Sequence, residues 1–135
     1  MTLETKKPFI YIISPYTHEN EAIMDTRAYI VTHALSILLE MRPDAILFSP
    51  IVQYHQAAVY NPKIPRDAEH WRSVNMFYME LADEAIVVNM SDIAHSKGCK
   101  FEITWFLDNF IPISTIDGVF DGTPILTEGI SNLSF

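Results

Sequence analysis

The chain has 135 residues, 49% of them hydrophobic, which suits one domain over 1–135 with its own core and is too short for two of ordinary size. Its formal net charge is -8 with no block of Lys and Arg, which argues against polymeric nucleic acid as a partner but leaves room for a small anionic ligand held by local donors. The single cysteine, Cys99, excludes an internal disulfide and fits a reducing, cytoplasmic setting, and MTLETKK leads into no apolar stretch long enough for a signal peptide or membrane span.

Phe9 to Ile13, FIYII, is a β-rich apolar run stopped by Ser14-Pro15 and reads as a first strand. Tyr16 to Asn20 is a polar loop in which Asn20 can cap the next helix. That helix is expected from about Glu21 to Met41, with Ile30, Ala34, Ile37 and Met41 on one face and Val31, Leu35 and Leu38 beside it, closed by Arg42-Pro43-Asp44. Ala45 to Phe48 is a second strand, ended by Ser49-Pro50 in a repeat of the first strand's device.

Ile51 to Asp67 has little periodicity and reads as a short helical turn followed by an irregular loop. From Asp67 to Ala82 the pattern turns helical, with Trp71, Val74, Phe77, Tyr78 and Leu81 at helical intervals. Ala85 to Val88 is a buried parallel strand, and Ser96-Lys97-Gly98 hands it over to a helix carrying Cys99, Ile103, Phe106 and Phe110 as its stripe. Phe110 to Ile116 is a last short strand with Pro112 at its beginning or on an edge, and Asp117 to Phe135 reads as loop with at most a turn of helix. The order predicts a three-layer α/β domain, core about 8–116, with a mainly parallel sheet of about four to five strands.

No GxGxxG, GxxxxGK[ST] or CxxC is present, and Ser14 and Ser49 lack a GxSxG context. The five histidines, His18, His33, His55, His70 and His95, lie singly, so neither a metal site nor a cofactor is expected. Glu102 falls beside the apolar stripe about one turn into its helix, at the carboxyl edge of the sheet where ligands bind. It is a candidate for chemistry, or a solvated Glu favoured by the helix dipole. Cys99 after Gly98 could be an activated thiol, but its place on the stripe argues for packing.

Four segments, IYIISPYTH from Ile10, FSPIVQYH from Phe48, AEHW to LADEAIVV over Ala68 to Val88, and HSKGCKFE from His95, together resemble the nucleoside 2-deoxyribosyltransferase-like superfamily. The nearest branches are its small phage and bacterial proteins and the 2'-deoxynucleoside 5'-monophosphate N-glycosidases. The likeness runs over Pro8 to Ile116. It implies a flavodoxin-like fold and cleavage of the bond between a base and C1' of a deoxyribose. Glu102 matches the nucleophile that forms a glycosyl ester, and Tyr11 matches the tyrosine that steadies it. Such a carboxylate suits an oxocarbenium-like transition state. By the same resemblance the substrate would lie against Ser14, Pro15, Tyr16, Thr17, His18, Pro50, His55, Trp71, Ser96 and Gly98. Tyr54 and Phe48 are further candidates for the base pocket, where an aromatic face holds a planar ring.

Ser96 stands where nucleoside transferases have an aspartate and the monophosphate N-glycosidases a serine, which favours a phosphate-bearing substrate. A carboxylate there would repel it, whereas Ser96 could equally be only a helix cap. Thr17, His18, Arg27 and Lys97 are further possible phosphate contacts. Where relatives have an aspartate eight residues before Asp83, this chain has Asn75, whose amide orients a hydroxyl but does not titrate. Asp67, Glu69 and Glu80 are weak substitutes for the acid/base role. The expected activity is hydrolysis of deoxynucleoside monophosphates. Transfer of the sugar to a second base, and a nucleotide-binding module without turnover, are the alternatives. The resemblance also implies a homodimer or larger assembly, with Trp71 to Tyr78 and Trp105 to Phe110 as candidate interface.

Overall fold

The structure, a computed structural model, describes residues 6–133, so the reading of MTLETKK lies largely, and that of residues 134–135 wholly, outside the described residues. A five-stranded sheet in the order β2-β1-β3-β4-β5 is formed by β1 (Phe9–Ile13), β2 (Ile46–Phe48), β3 (Glu84–Val88), β4 (Ile113–Asp117) and β5 (Ile125–Glu128). The first four are parallel and β5 is antiparallel to β4. Four α-helices join them: α1 (Glu21–Met41), α2 (Pro50–Tyr60), α3 (Ala68–Leu81) and α4 (Lys97–Asp108). The α/β class and mostly parallel sheet agree with the sequence reading.

Side-chain alternation along β1 and β3 divides the core. Ile10, Ile12, Ile86 and Val88 pack with Val31, Ala34 and Leu38 of α1, whereas Tyr11, Ile13, Ala85 and Val87 meet Met79 of α3 and Cys99, Ile103 and Phe106 of α4. Tyr11 and Phe106 are fully buried, and each contributes about 2–3 kcal/mol relative to an exposed ring. Arg42, at the end of α1, donates through both terminal nitrogens to the Glu84 carboxylate at 3.0 and 3.1 Å, and the Asp83 carboxylate accepts from Phe9 N–H at 2.8 Å. These bonds set the amino ends of β1 and β3 in register.

Several sequence expectations need correction. The stretch after Ser49 is a full helix of 11 residues, not a turn, because Pro50 sits at its first position and the Ser49 hydroxyl accepts from Val52 N–H at 3.2 Å. In α1 the buried face is Met24, Ala28, Val31, Ala34 and Leu38, and Met41 is exposed. In α3, Phe77 and Leu81 are exposed while Met79 is buried. Phe110 belongs neither to the stripe nor to the last strand: it is 93% exposed at φ 56°. There it closes α4, with its N–H bonded to Leu107 O and Ile111 N–H to Phe106 O, a Schellman termination. The tail read as loop contains β5, whose pairing covers the edge that β4 would expose.

Among the described residues, α1 is the one helix long and apolar enough to cross a membrane. Its buried face packs on the sheet.

Candidate active site

The strand order reverses at β1, whose neighbours β2 and β3 follow it in sequence on opposite sides, and this is where the carboxyl ends of an α/β sheet leave a crevice. A cavity of about 380 Å³ opens there, of a size that suits a small molecule. Ser14 and Tyr16 enter it from the end of β1, Pro50 and His55 from α2, Trp71 and Asn75 from α3, and Ser96, Gly98 and Glu102 from the start of α4. The local reasons are ordinary. Asn20 caps α1 by accepting from Ala22 N–H at 2.9 Å, Asp67 caps α3 by accepting from His70 N–H at 2.9 Å, and Ser96 caps α4 by accepting from Cys99 N–H at 3.1 Å.

On one side of the cavity the Tyr11 hydroxyl donates to Glu102 Oε2 at 2.6 Å. Glu102 is not a solvated surface residue. Its side chain is half-buried on the cavity wall, and burial pushes its carboxyl up from about 4.5 to about 7, opposed by the Tyr11 hydroxyl, the Asn75 amide and the Arg72 guanidinium. The Tyr11 phenol is itself raised well above its ordinary value, by burial and then by the facing carboxylate. A carboxyl poised near neutrality in a small-molecule cavity has the character of a catalytic group.

A second polar group occupies the side formed by α2. The Tyr16 hydroxyl lies 2.8 Å from His55 Nδ1, and His55 Nε2 lies 3.1 Å from Asp25 Oδ1 on α1. Burial lowers the His55 pKa, so the neutral ring donates from Nε2 to Asp25 and accepts from Tyr16 at Nδ1. Trp71 is stacked on Tyr54 at 4.7 Å and donates its indole N–H to Pro65 O at 2.7 Å, an aromatic pair that fixes the cavity wall.

Of the four buried side-chain polar atoms without a hydrogen-bond partner among the described residues, Ser14 Oγ, Arg66 Nη1 and Asn75 Oδ1 belong to residues that line this cavity, and Arg27 Nε lies outside it. Buried polar groups are seldom left unpaired, so their concentration here points to a polar ligand. Ser14-Pro15 and Ser49-Pro50 look alike in sequence but differ in role. Ser49 spends its hydroxyl on a helix cap, whereas Ser14 keeps its own for the cavity.

Of the expected site residues, Tyr16, Thr17, Pro50, Tyr54, His55, Trp71, Lys97 and Gly98 also line the cavity, and Tyr11 lies directly behind Glu102. Several others do not line it. Pro15 is buried outside it where β1 ends; His18 is exposed, with Nδ1 accepting from Asn20 N–H at 2.9 Å; Phe48 is core, stacked on Tyr78 at 4.1 Å. Arg27 is no anion ligand, since it pairs with Asp92 and donates to the carbonyls of Tyr16 and Thr17, thereby shaping the β1–α1 loop. Glu69 and Glu80 are exposed away from the cavity, and Asp67 lines it while serving as a cap. Cys99 is buried and its thiol is pushed up to about 12, chiefly by burial, which makes it packing and not a nucleophile. A Cβ on Gly98 would meet Ala68 Cβ at 3.4 Å, an ordinary contact, so space alone does not require glycine there.

Arg66 and Arg72 were not singled out from the sequence. Arg66 sits in the aperiodic stretch before α3, and Arg72 lies 4.2 Å over the Phe101 ring; neither belongs to a motif.

No curated protein matches the chain. Residues 8–117 match the family described as a domain of unknown function, DUF1937. That span takes in the four parallel strands, every helix and every cavity residue named above, and the chain belongs to the DUF1937 family.

Proposed function

We propose that the chain is an N-glycosidase of 2'-deoxynucleoside 5'-monophosphates, with Glu102 as nucleophile. The observation that carries this reading is the Tyr11–Glu102 pair, a carboxyl raised to about 7 and held by a buried phenol on the wall of a small-molecule cavity. The Glu102 carboxylate attacks C1', the bond from C1' to the base nitrogen breaks, and the base leaves with that electron pair and takes up a proton. Water then resolves the ester, giving deoxyribose 5-phosphate and regenerating the carboxylate. Asn75 beside Glu102 orients and does not titrate, which leaves the Tyr16 hydroxyl and water as sources of the proton.

The resemblance of the four sequence segments to the nucleoside 2-deoxyribosyltransferase-like superfamily supports this reading. So does the strand order β2-β1-β3-β4, which is that of a flavodoxin-like sheet; the antiparallel β5 departs from it. Exposed Phe77, Leu81 and Leu107 on α3 and α4 support association with a second copy, and the lone buried Cys99 supports a cytoplasmic setting.

The test is base release from deoxynucleoside and ribonucleoside monophosphates, with and without an acceptor base, for wild type and Glu102→Gln. Free base from wild type alone is expected. Equal release by both proteins removes Glu102 from the chemistry, and product formed only with an acceptor makes the protein a transferase. Asn75, which does not titrate and whose Oδ1 is unpartnered, favours a second reading, a nucleotide-binding module. Nucleotide binding without base release at high protein concentration selects it.

A further inference from the structure

We infer that Arg66 is the anion receptor of the cavity and holds the phosphate of a phosphate monoester. The identity of that ligand as a nucleotide rests on the reading above; the anion site does not. Arg66 lies in the connection between α2 and α3, and its backbone carbonyl accepts from Thr17 Oγ1 at 2.7 Å, which ties that connection to the β1–α1 loop. The guanidinium therefore projects from a fixed point. It lines the cavity, and Nη1 is buried with no partner among the described residues.

The Arg66 guanidinium lies beside the Tyr16 hydroxyl, a neutral group that leaves its charge uncompensated, whereas two of the other arginines are paired with carboxylates and one lies over an aromatic ring. Arg27 is paired with Asp92, Arg42 with Glu84 and Asp44, and Arg72 stacks on Phe101. The carboxylates around the cavity are engaged as well: Asp25 with His55, Asp67 with His70 N–H and Glu102 with Tyr11. None of these bonds reaches Arg66. A buried guanidinium nitrogen left unpaired is destabilising, and a ligand bearing two or more anionic oxygens relieves it through the planar fork that suits phosphate. Arg72 and Lys97 line the same cavity, so with Arg66 it carries three basic side chains against the carboxyls of Asp67 and Glu102. Ser96 Oγ accepts from Cys99 N–H, which leaves its hydroxyl proton free to donate to the same anion.

Calorimetric titration of the full chain decides the matter, using inorganic phosphate, acetate, and the four common 2'-deoxynucleoside 5'-monophosphates with their nucleosides. Wild type is expected to bind phosphate over acetate, and at least one monophosphate about tenfold or more tightly than its nucleoside. Arg66→Gln is expected to abolish that preference with nucleoside affinity retained, Arg66→Lys to keep part of it, and Lys63→Gln, at an exposed lysine outside the cavity lining, to leave it unchanged. An unchanged preference in Arg66→Gln, an equal loss in Lys63→Gln, or a preference for acetate overturns the assignment, as does no binding of any phosphate compound by folded wild type. The thermal midpoint of each variant establishes folding. Phosphate binding through Arg66 without base release would refute the glycosidase and leave the anion site standing. Base release by Arg66→Gln with unchanged KM for monophosphates would do the reverse.

Discussion

The Tyr11 hydroxyl and the Glu102 carboxylate, 91 positions apart in the chain, meet at 2.6 Å beneath the cavity. Tyr11 comes from the middle of β1 and is fully buried, so its phenol is held rigidly. Glu102 comes from the second turn of α4, whose Ile103 and Phe106 pack on the same face of the sheet. The hydrogen bond favours the ionised carboxylate and burial disfavours it; burial is the larger effect, and the carboxyl rests at about 7.

Tyr11→Phe keeps the packing and removes the bond. A nucleophilic Glu102 must be ionised, so base release by wild type is expected to rise with pH through about 7. In Tyr11→Phe the carboxylate loses its donor, and that limb is expected to move alkaline by about one pH unit. A pH–rate profile of the variant superimposable on wild type would show that the phenol does not tune the carboxyl.

Glu102→Gln changes how stability depends on pH. The folded carboxyl titrates at about 7 against about 4.5 when unfolded, so between these values the folded state holds the extra proton. The associated stability is complete below 4.5 and lost as pH rises through 7, a difference of at most about 3 kcal/mol before screening at the cavity mouth. Glutamine does not titrate and can still accept from Tyr11. Urea midpoints for the variant are therefore expected to gain on wild type from pH 5 to pH 8; a constant difference across that range would contradict the raised carboxyl.

Ser96→Ala leaves Cys99 N–H without its acceptor and is expected to destabilise by about 1 kcal/mol, with Ser96→Asp retaining the cap. Because Cys99 lies in the first turn, fraying there should expose its thiol. Reaction with an aromatic disulfide reagent under native conditions is expected to be very slow in wild type and faster in Ser96→Ala. Equal rates would mean that the first turn holds without the cap.

Two backbone positions with positive φ are expected to respond in opposite directions. A Cβ at Gly118, φ 70°, would lie 2.4 Å from Thr123 O, so Gly118→Ala should destabilise by about 2 kcal/mol or more, shifting the β4–β5 connection. Phe110 occupies the left-handed position that ends α4 and is almost fully exposed, so Phe110→Gly should stabilise by up to about 1 kcal/mol. Chemical denaturation checks both; a destabilised Phe110→Gly would mean that the exposed ring has a partner.

Much of the architecture was legible because it is local. FIYII and AIVV are too apolar and β-branched to be anything but buried strands, and Asn20 and Asp67 announce the starts of α1 and α3. The helix α2 was underestimated because, apart from its cap, its apolar residues Ile51, Val52 and Ala58 make no regular stripe. The strand β5 was missed because Gly118, Gly122, Pro124 and Gly129 crowd around four residues whose strand character comes from their hydrogen bonds to β4. Phe110 was misjudged because it falls at the helical spacing of Cys99, Ile103 and Phe106, and only its surroundings assign its role.

By itself the sequence determined the order of elements as far as β4, the α/β class, and the placing of Glu102 one turn into a helix at the carboxyl edge of the sheet. Those follow from interactions within about a turn or a strand length, which a linear pattern encodes. Tertiary structure alone decided that Tyr11 lies under Glu102, that Arg27 is consumed by Asp92, and that Arg66 faces the cavity with a nitrogen to spare. Charge pairing and desolvation act through space over a few ångströms, and no spacing along the chain reports which side chains the β1–β3 register and the packing of α4 bring within that reach.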